Sequence, residues 1–201
     1  MIQILFLLLL SIASLTSCRQ TTASPVTIVD EGKFFRSGQP TKSELDNLIR
    51  KEGIRTVINL RGAHPGEKWF DDEFNLTETK QVRFISIDFE LNHLPHRRSL
   101  RQYLDALATA PKPILIHCDN GVERTGEAAA IYELVVNKKS KAEAMVMLSS
   151  AYNYDESDDP TKKHFIEKVW QDEEWAKNIY DPCVQSYAYY SHNLPECKGQ
   201  H

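Results

Sequence analysis

The sequence predicts an α/β protein in which a central, mostly parallel, twisted sheet is flanked by helices. Three observations carry that expectation. Thr56–Leu60 is a continuous run of β-branched and aliphatic residues, as in a strand buried on both faces. Pro113–Ile116 is a second apolar run, and it passes through a short glycine-containing loop straight into a helical pattern. Between them lie stretches with apolar residues at helical spacing, so strands and helices alternate along the chain. With 201 residues, 41% hydrophobic and 26% charged, the chain fits one globular domain, expected over residues 26–179. A net charge of −4 points away from a nucleic-acid partner.

The N-terminal segment stands outside that domain. Met1–Ser17 carries no charged side chain and contains the apolar run Ile4–Leu10, extended by Ile12, Ala13 and Leu15. A bilayer span needs about 20 residues, so this length suits the apolar core of a secretory signal, although the usual basic flank is missing. Leu15-Thr16-Ser17-Cys18 resembles a bacterial lipobox, which implies a signal peptide over residues 1–17 and a lipidated Cys18. A plain cleaved signal and an uncleaved anchor are the alternatives. Residues 18–25 read as a polar linker. The expectation is an exported protein in the cell envelope or periplasm, tied by lipid to a membrane surface.

The domain's elements follow in order. Lys33–Arg36 reads as a short strand ending in the turn Ser37–Pro40. Thr41-Lys42-Ser43-Glu44 is a capping box opening a helix to about Lys51, with Leu45, Leu48 and Ile49 inward and Gly53 closing it. Gly62–Lys80 is polar, holds Pro65, Gly66, Asp71, Asp72 and Glu73, and reads as a mobile loop with a short helix at its end as the alternative. Val82, Phe84, Ile85 and Ile87 make a strand that delivers Asp88, Phe89 and Glu90 at its carboxyl end. Ligands of open α/β sheets bind at that end, so Asp88 and His117-Cys118 are expected on one edge. Asn92–Arg98, with His93, His96, Arg97 and Arg98, reads as a solvated loop, or alternatively as a basic lip facing a phosphorylated substrate. Ser99 is placed as the cap of a helix carrying Leu100, Tyr103, Leu104 and Leu107 on one face. A helix beginning near Thr125 buries Ala128, Ile131, Tyr132, Leu134 and Val135. Ser140 caps another, with Ala144, Met145, Leu148 and Ala151 inward, and one helix from about Thr161 to Ile179 carries Phe165, Val169, Trp170 and Trp175. Residues 180–201 form a tail.

The chemistry concentrates in His117-Cys118-Asp119-Asn120-Gly121-Val122-Glu123-Arg124-Thr125-Gly126. Backbone N–H groups of a loop feeding a helix N-terminus converge on one point, and the helix adds positive potential there, so the loop is an anion cradle. Such a cradle stabilises a thiolate, the nucleophilic form of Cys118. Arg124 supplies a planar fork for two phosphoryl oxygens, Thr125 a hydroxyl for the sulfur when it departs, and Gly121 a turn with positive φ. Asp119, Asn120, Gly121, Val122, Glu123 and Arg124 would line the bound phosphoryl group.

This run resembles the signature of the cysteine-dependent protein tyrosine and dual-specificity phosphatases. Phe35–Pro40 and Gly53–Arg61 are similar to the opening of compact bacterial members, so the resemblance spans about Phe34 to Tyr152. It implies a phosphomonoester hydrolase with Cys118 as nucleophile, Arg124 on the phosphoryl oxygens and a phosphocysteine intermediate, and it implies no metal or cofactor. Dual-specificity phosphatases commonly draw the general acid from an aspartate some thirty residues before the nucleophile, the place of Asp88. Another branch, and the myotubularin-like lipid phosphatases, use an aspartate just before the loop arginine, a place held here by Glu123. Asp88 ranks first, Glu123 second and Glu90 third. Two acids within the loop oppose a polyanionic substrate, which favours a phosphorylated protein, tyrosine over serine or threonine, or a small phosphomonoester. The alternatives are an inositol phosphate phosphatase, a pseudophosphatase that only binds phosphate, or another thiolate enzyme such as a sulfurtransferase or arsenate reductase.

Two cysteines remain, Cys183 and Cys197. In an exported protein they are expected to form a disulfide, whose loop closure would stabilise by about 3 kcal/mol in the chain-entropy view. Free thiols, or a zinc site with His192 and His201, are the alternatives.

Overall fold

The computed structural model describes residues 25–199, Asp158 and Asn193 excepted. Cys18, its lipobox, the linker up to residue 24, and His201 lie outside the described residues. Five strands form one sheet: β1 (Thr27–Asp30), β2 (Phe34–Ser37), β3 (Thr56–Asn59), β4 (Arg83–Ser86) and β5 (Ile114–His117), in the order β1-β2-β5-β3-β4. β2, β5, β3 and β4 are parallel; β1 pairs antiparallel with β2 at the edge and was not foreseen as a strand. The mostly parallel α/β sheet is as expected.

Side chains along the strands alternate between two cores. Phe35, Val57 and Leu115 face α1 (Lys42–Glu52) and α2 (Lys68–Thr79), where they meet Leu45, Leu76 and Val82. Phe34, Ile58, Ile114 and Ile116 face α3 (Arg97–Thr109) and α4 (Glu123–Val135), and the larger core continues to Phe165, Trp170 and Tyr180. The Thr41 capping box and the left-handed Gly53 bound α1 as predicted.

Several elements differ from expectation. The stretch read as a mobile loop contains the twelve-residue α2, because Phe70, Glu73, Leu76 and Thr77 recur at helical spacing and are buried. α3 begins two residues before Ser99, whose hydroxyl donates instead to the Asp88 carbonyl at 2.7 Å. α4 starts at Glu123 rather than near Thr125. The Ser140 capping box opens α5 (Lys141–Ala144), which tightens into a 3₁₀ turn at Met145–Leu148 and leaves Ala151 exposed.

The helix expected over 161–179 is broken. α6 (Thr161–His164) widens into a π turn over Phe165–Val169, Trp170 is extended, and Asp172 caps a new helix, α7 (Glu173–Asn178), accepting from Trp175 N–H at 2.7 Å. Asn92–Arg98 is not a solvated loop. Leu94 and Pro95 are buried, and the segment packs against residues 180–197, with Leu94 N–H donating to the Tyr190 carbonyl and Tyr180 Oη to the Pro95 carbonyl. Cys183 and Cys197 are joined by a disulfide with Cα atoms 5.0 Å apart, which takes both sulfurs out of reach of zinc.

Candidate active site

The parallel ladders bring four strand ends to one level: Ser37 pairs with His117, His117 with Asn59, and Asn59 with Ser86. The segments that leave these ends carry Gly38-Gln39, Cys118, Arg61 and Asp88, all on the carboxyl edge of the sheet. Asp88 stands two strands from Cys118, roughly 10 Å across the ladder. It is exposed, and among the described residues its carboxylate makes no hydrogen bond or ion pair. Its backbone is fixed by an antiparallel bridge to Arg61 and by the Ser99 bond. Gly62, at φ +80°, lies directly against it: a Cβ there would meet Asp88 Cβ and Cγ at 3.3 Å.

Cys118 follows the buried strand β5 and is closed to solvent. Its sulfur accepts the Gly121 N–H at 3.2 Å and lies 3.7 Å from Asn120 Oδ1, so the loop folds back over the thiol. Gly121 has φ +79°, and a Cβ on it would come within 2.6 Å of the Ser37 and Gly38 backbone. Only glycine fits. Arg124 Nη1 reaches the Leu60 carbonyl at 3.5 Å. Arg124 Nε and the Thr125 hydroxyl are buried without a hydrogen-bond partner among the described residues. Buried donors of this kind are groups that a bound anion satisfies. The Thr125 hydroxyl therefore does not bond the sulfur here.

The other acid candidates separate. Glu123 opens α4 with Oε2 buried and unbonded, next to Arg124. Glu90 is engaged elsewhere, its Oε1 2.8 Å from His96 Nε2. Asp119 is exposed and paired with Arg61 at 3.2 Å.

The supporting contacts that Arg36, His117, Glu73 and Arg61 make around the loop were not read from sequence. Arg36, buried on β2, donates to the Met147 and Gly121 carbonyls at 3.0 Å each and stacks over Tyr152 with Cζ 4.3 Å from the ring centre. Burial lowers its guanidinium to about 10, with Tyr152 and Cys118 pulling the other way. His117 Nε2 lies 2.6 Å from Glu73 Oε1, and both side chains are closed to solvent. Arg61 donates to Gln39 Oε1 at 2.9 Å and lies over Trp69 with Cζ 3.5 Å from the ring centre; burial lowers its guanidinium, opposed by Asp119. Arg36 and Arg61 did stand inside the stretches that resemble the phosphatases, and their place at strand ends was the available signal.

This constellation can hold a tetrahedral anion over a thiol. Comparison with known proteins places it in a lineage. A family described as DSP-PTPase phosphatase fused to NAD+ kinase matches residues 11–168. No curated protein sequence matches the chain. Among solved structures, a P. aeruginosa TpbA variant in complex with pTyr is 21% identical, with 76% of this chain and 93% of that one covered and a TM-score of 0.58. The core catalytic domain of the PP-IP phosphatase SIW14 from S. cerevisiae is 20% identical, covering 87% and 97%, with a TM-score of 0.58. PTPMT1 in complex with PI(5)P is 16% identical, covering 72% and 96%, with a TM-score of 0.53. At these identities the structures attest the fold, and the family match covers most of the chain. The chain belongs to the cysteine-based protein tyrosine and dual-specificity phosphatase family, in the group described as DSP-PTPase phosphatase fused to NAD+ kinase.

Proposed function

We propose that this protein hydrolyses phosphomonoesters through a phosphocysteine intermediate, with a phosphotyrosine-bearing protein as the favoured substrate. The observation that carries this reading is the Cys118 sulfur beneath a loop whose Arg124 Nε and Thr125 hydroxyl are buried and unbonded. The Cys118 thiolate attacks phosphorus in line, the ester P–O bond breaks, and Arg124 with the loop N–H groups holds the equatorial oxygens. Asp88 gives its proton to the departing oxygen. Water, deprotonated by the same carboxylate, then attacks the phosphocysteine; the P–S bond breaks and the sulfur leaves as thiolate, with the Thr125 hydroxyl turned to stabilise it. Hydrolysis of p-nitrophenyl phosphate by the purified protein, lost in Cys118→Ser, is the expected result; no turnover by the wild type would favour a module that only binds phosphate.

An inositol phosphate is the second reading, and one contact favours it. Arg61 neutralises Asp119, so the loop opposes a polyanion less than its composition implies. TpbA was captured with pTyr, whereas SIW14 acts on PP-IP and PTPMT1 was captured with PI(5)P. Parallel kcat/KM values for a phosphotyrosine peptide and an inositol polyphosphate separate the two readings. We propose in addition that Cys18 carries lipid and brings the protein to a membrane surface of the cell envelope; a mature protein beginning after Cys18 would refute this.

A further inference from the structure

The segment that carries Asp88 leans on the far end of the chain. α3 begins just after it, and the N-cap residue His96 gives that helix no side-chain bond. The missing cap comes from a residue ninety-nine positions away: Glu196 Oε1 accepts the Arg97 N–H at 3.3 Å and lies 3.1 Å from His96 Nδ1. A carboxylate there satisfies an otherwise unpaired N–H and faces the positive end of the helix.

Two routes lead from this cap to Asp88. The His96 ring reaches Glu90 Oε1 through Nε2 at 2.8 Å, two residues beyond Asp88. The first turn of α3 carries Ser99, whose hydroxyl holds the Asp88 carbonyl. Glu196 is itself anchored. It precedes Cys197, whose bond to Cys183 closes this part of the chain on itself, and Leu194 packs with the disulfide out of solvent.

We infer that Glu196 is a positioning residue for Asp88, kept in place by the Cys183–Cys197 bond. The inference rests on Asp88 as general acid. Without the cap the first turn of α3 loosens, Ser99 releases the Asp88 carbonyl, and the carboxyl no longer meets the leaving oxygen. Cys118 and Arg124 sit on other elements, the loop after β5 and the helix α4, so attack on phosphorus itself is spared.

The test compares Glu196→Ala, Glu196→Gln, Cys183→Ser/Cys197→Ser and Asp88→Asn with the wild type, all as purified full chains. Each is assayed for kcat/KM, which ends at phosphocysteine formation and so excludes the hydrolysis step common to both substrates, on a phosphotyrosine peptide, whose leaving oxygen needs a proton, and on p-nitrophenyl phosphate, whose leaving group needs it little. Glu196→Ala and the double serine variant are expected to lose about tenfold on the peptide and less than about twofold on p-nitrophenyl phosphate. Glu196→Gln keeps an acceptor oxygen and is expected near wild type. If Asp88→Asn shows the leaving-group-dependent loss and Glu196→Ala does not, the inference fails alone; if Asp88→Asn lacks it, the acid assignment fails and takes the inference with it. Equal losses on both substrates in Glu196→Ala mark general destabilisation and also overturn it. Full peptide turnover in the double serine variant refutes the part given to the disulfide, and Glu196→Ala, which keeps that bond, still decides the rest.

Discussion

Arg36 Nη2 donates to the Gly121 carbonyl at 3.0 Å, so the turn that folds over Cys118 is held from below by a guanidinium buried in the neighbouring strand. The same group bonds the Met147 carbonyl, which ties the loop to the 3₁₀ turn behind it. Arg36→Met should leave both buried carbonyls unpaired, at a cost of about 1–3 kcal/mol each. The expected outcome is a thermal midpoint lower by several degrees and turnover lowered on activated and unactivated substrates alike. Arg36→Lys should rescue little, because one ammonium cannot reproduce a two-sided fork. Differential scanning fluorimetry with parallel kinetics checks this; an unchanged midpoint would remove Arg36 from the account.

Gly62 and Asp88 make a second testable pair. Alanine at Gly62 would strain a left-handed residue and press a methyl against the Asp88 side chain. Gly62→Ala is therefore expected to imitate Asp88→Asn in kind, lowering kcat/KM for a phosphotyrosine peptide much more than kcat/KM for p-nitrophenyl phosphate, while Glu123→Gln affects both alike. For Asp88→Asn the loss on the peptide should reach about a hundredfold. A leaving-group-dependent loss in Glu123→Gln, with Asp88→Asn near wild type, would move the acid role into the loop.

Glu127, one turn beyond Arg124 on α4, is fully buried, 3.2 Å from the equally buried Lys162. Burial raises its carboxyl from 4.5 to about 7, against the attraction of Lys162. A folded-state value above the unfolded one means that the folded state holds the proton more tightly. This contribution to stability is fully present below about pH 4.5 and is lost as pH rises through about 7. Glu127→Gln cannot titrate and should flatten that part of the curve. Thermal midpoints measured across this range in both proteins provide the check, and identical slopes would contradict the assignment.

The fold and the loop were legible where local pattern and tertiary demand agree. Thr56–Leu60 reads as a strand buried on both faces and is one, and the apolar strand read at Pro113–Ile116 is buried from Ile114 onward. The glycine at 121 sits where positive φ is required. α2 was read only as an alternative short helix because Pro65, Gly66 and three acids outweighed the apolar residues at helical spacing, one of those acids being Glu73, which is buried against His117. The break at Trp170 was missed because the apolar period continues through it, although Asp172 is an ordinary capping residue. Arg36 and Glu196 act through partners eighty-five and ninety-nine residues away, and no local pattern carries that.

The most direct test of the mechanism is to quench the reaction with p-nitrophenyl phosphate during turnover and map phosphorylated peptides by mass spectrometry. The expected result is a phosphoryl group on the peptide containing Cys118, attached to sulfur, increased in Asp88→Asn and absent in Cys118→Ser. Sustained hydrolysis by Cys118→Ser, or turnover with no adduct on that peptide, would contradict it.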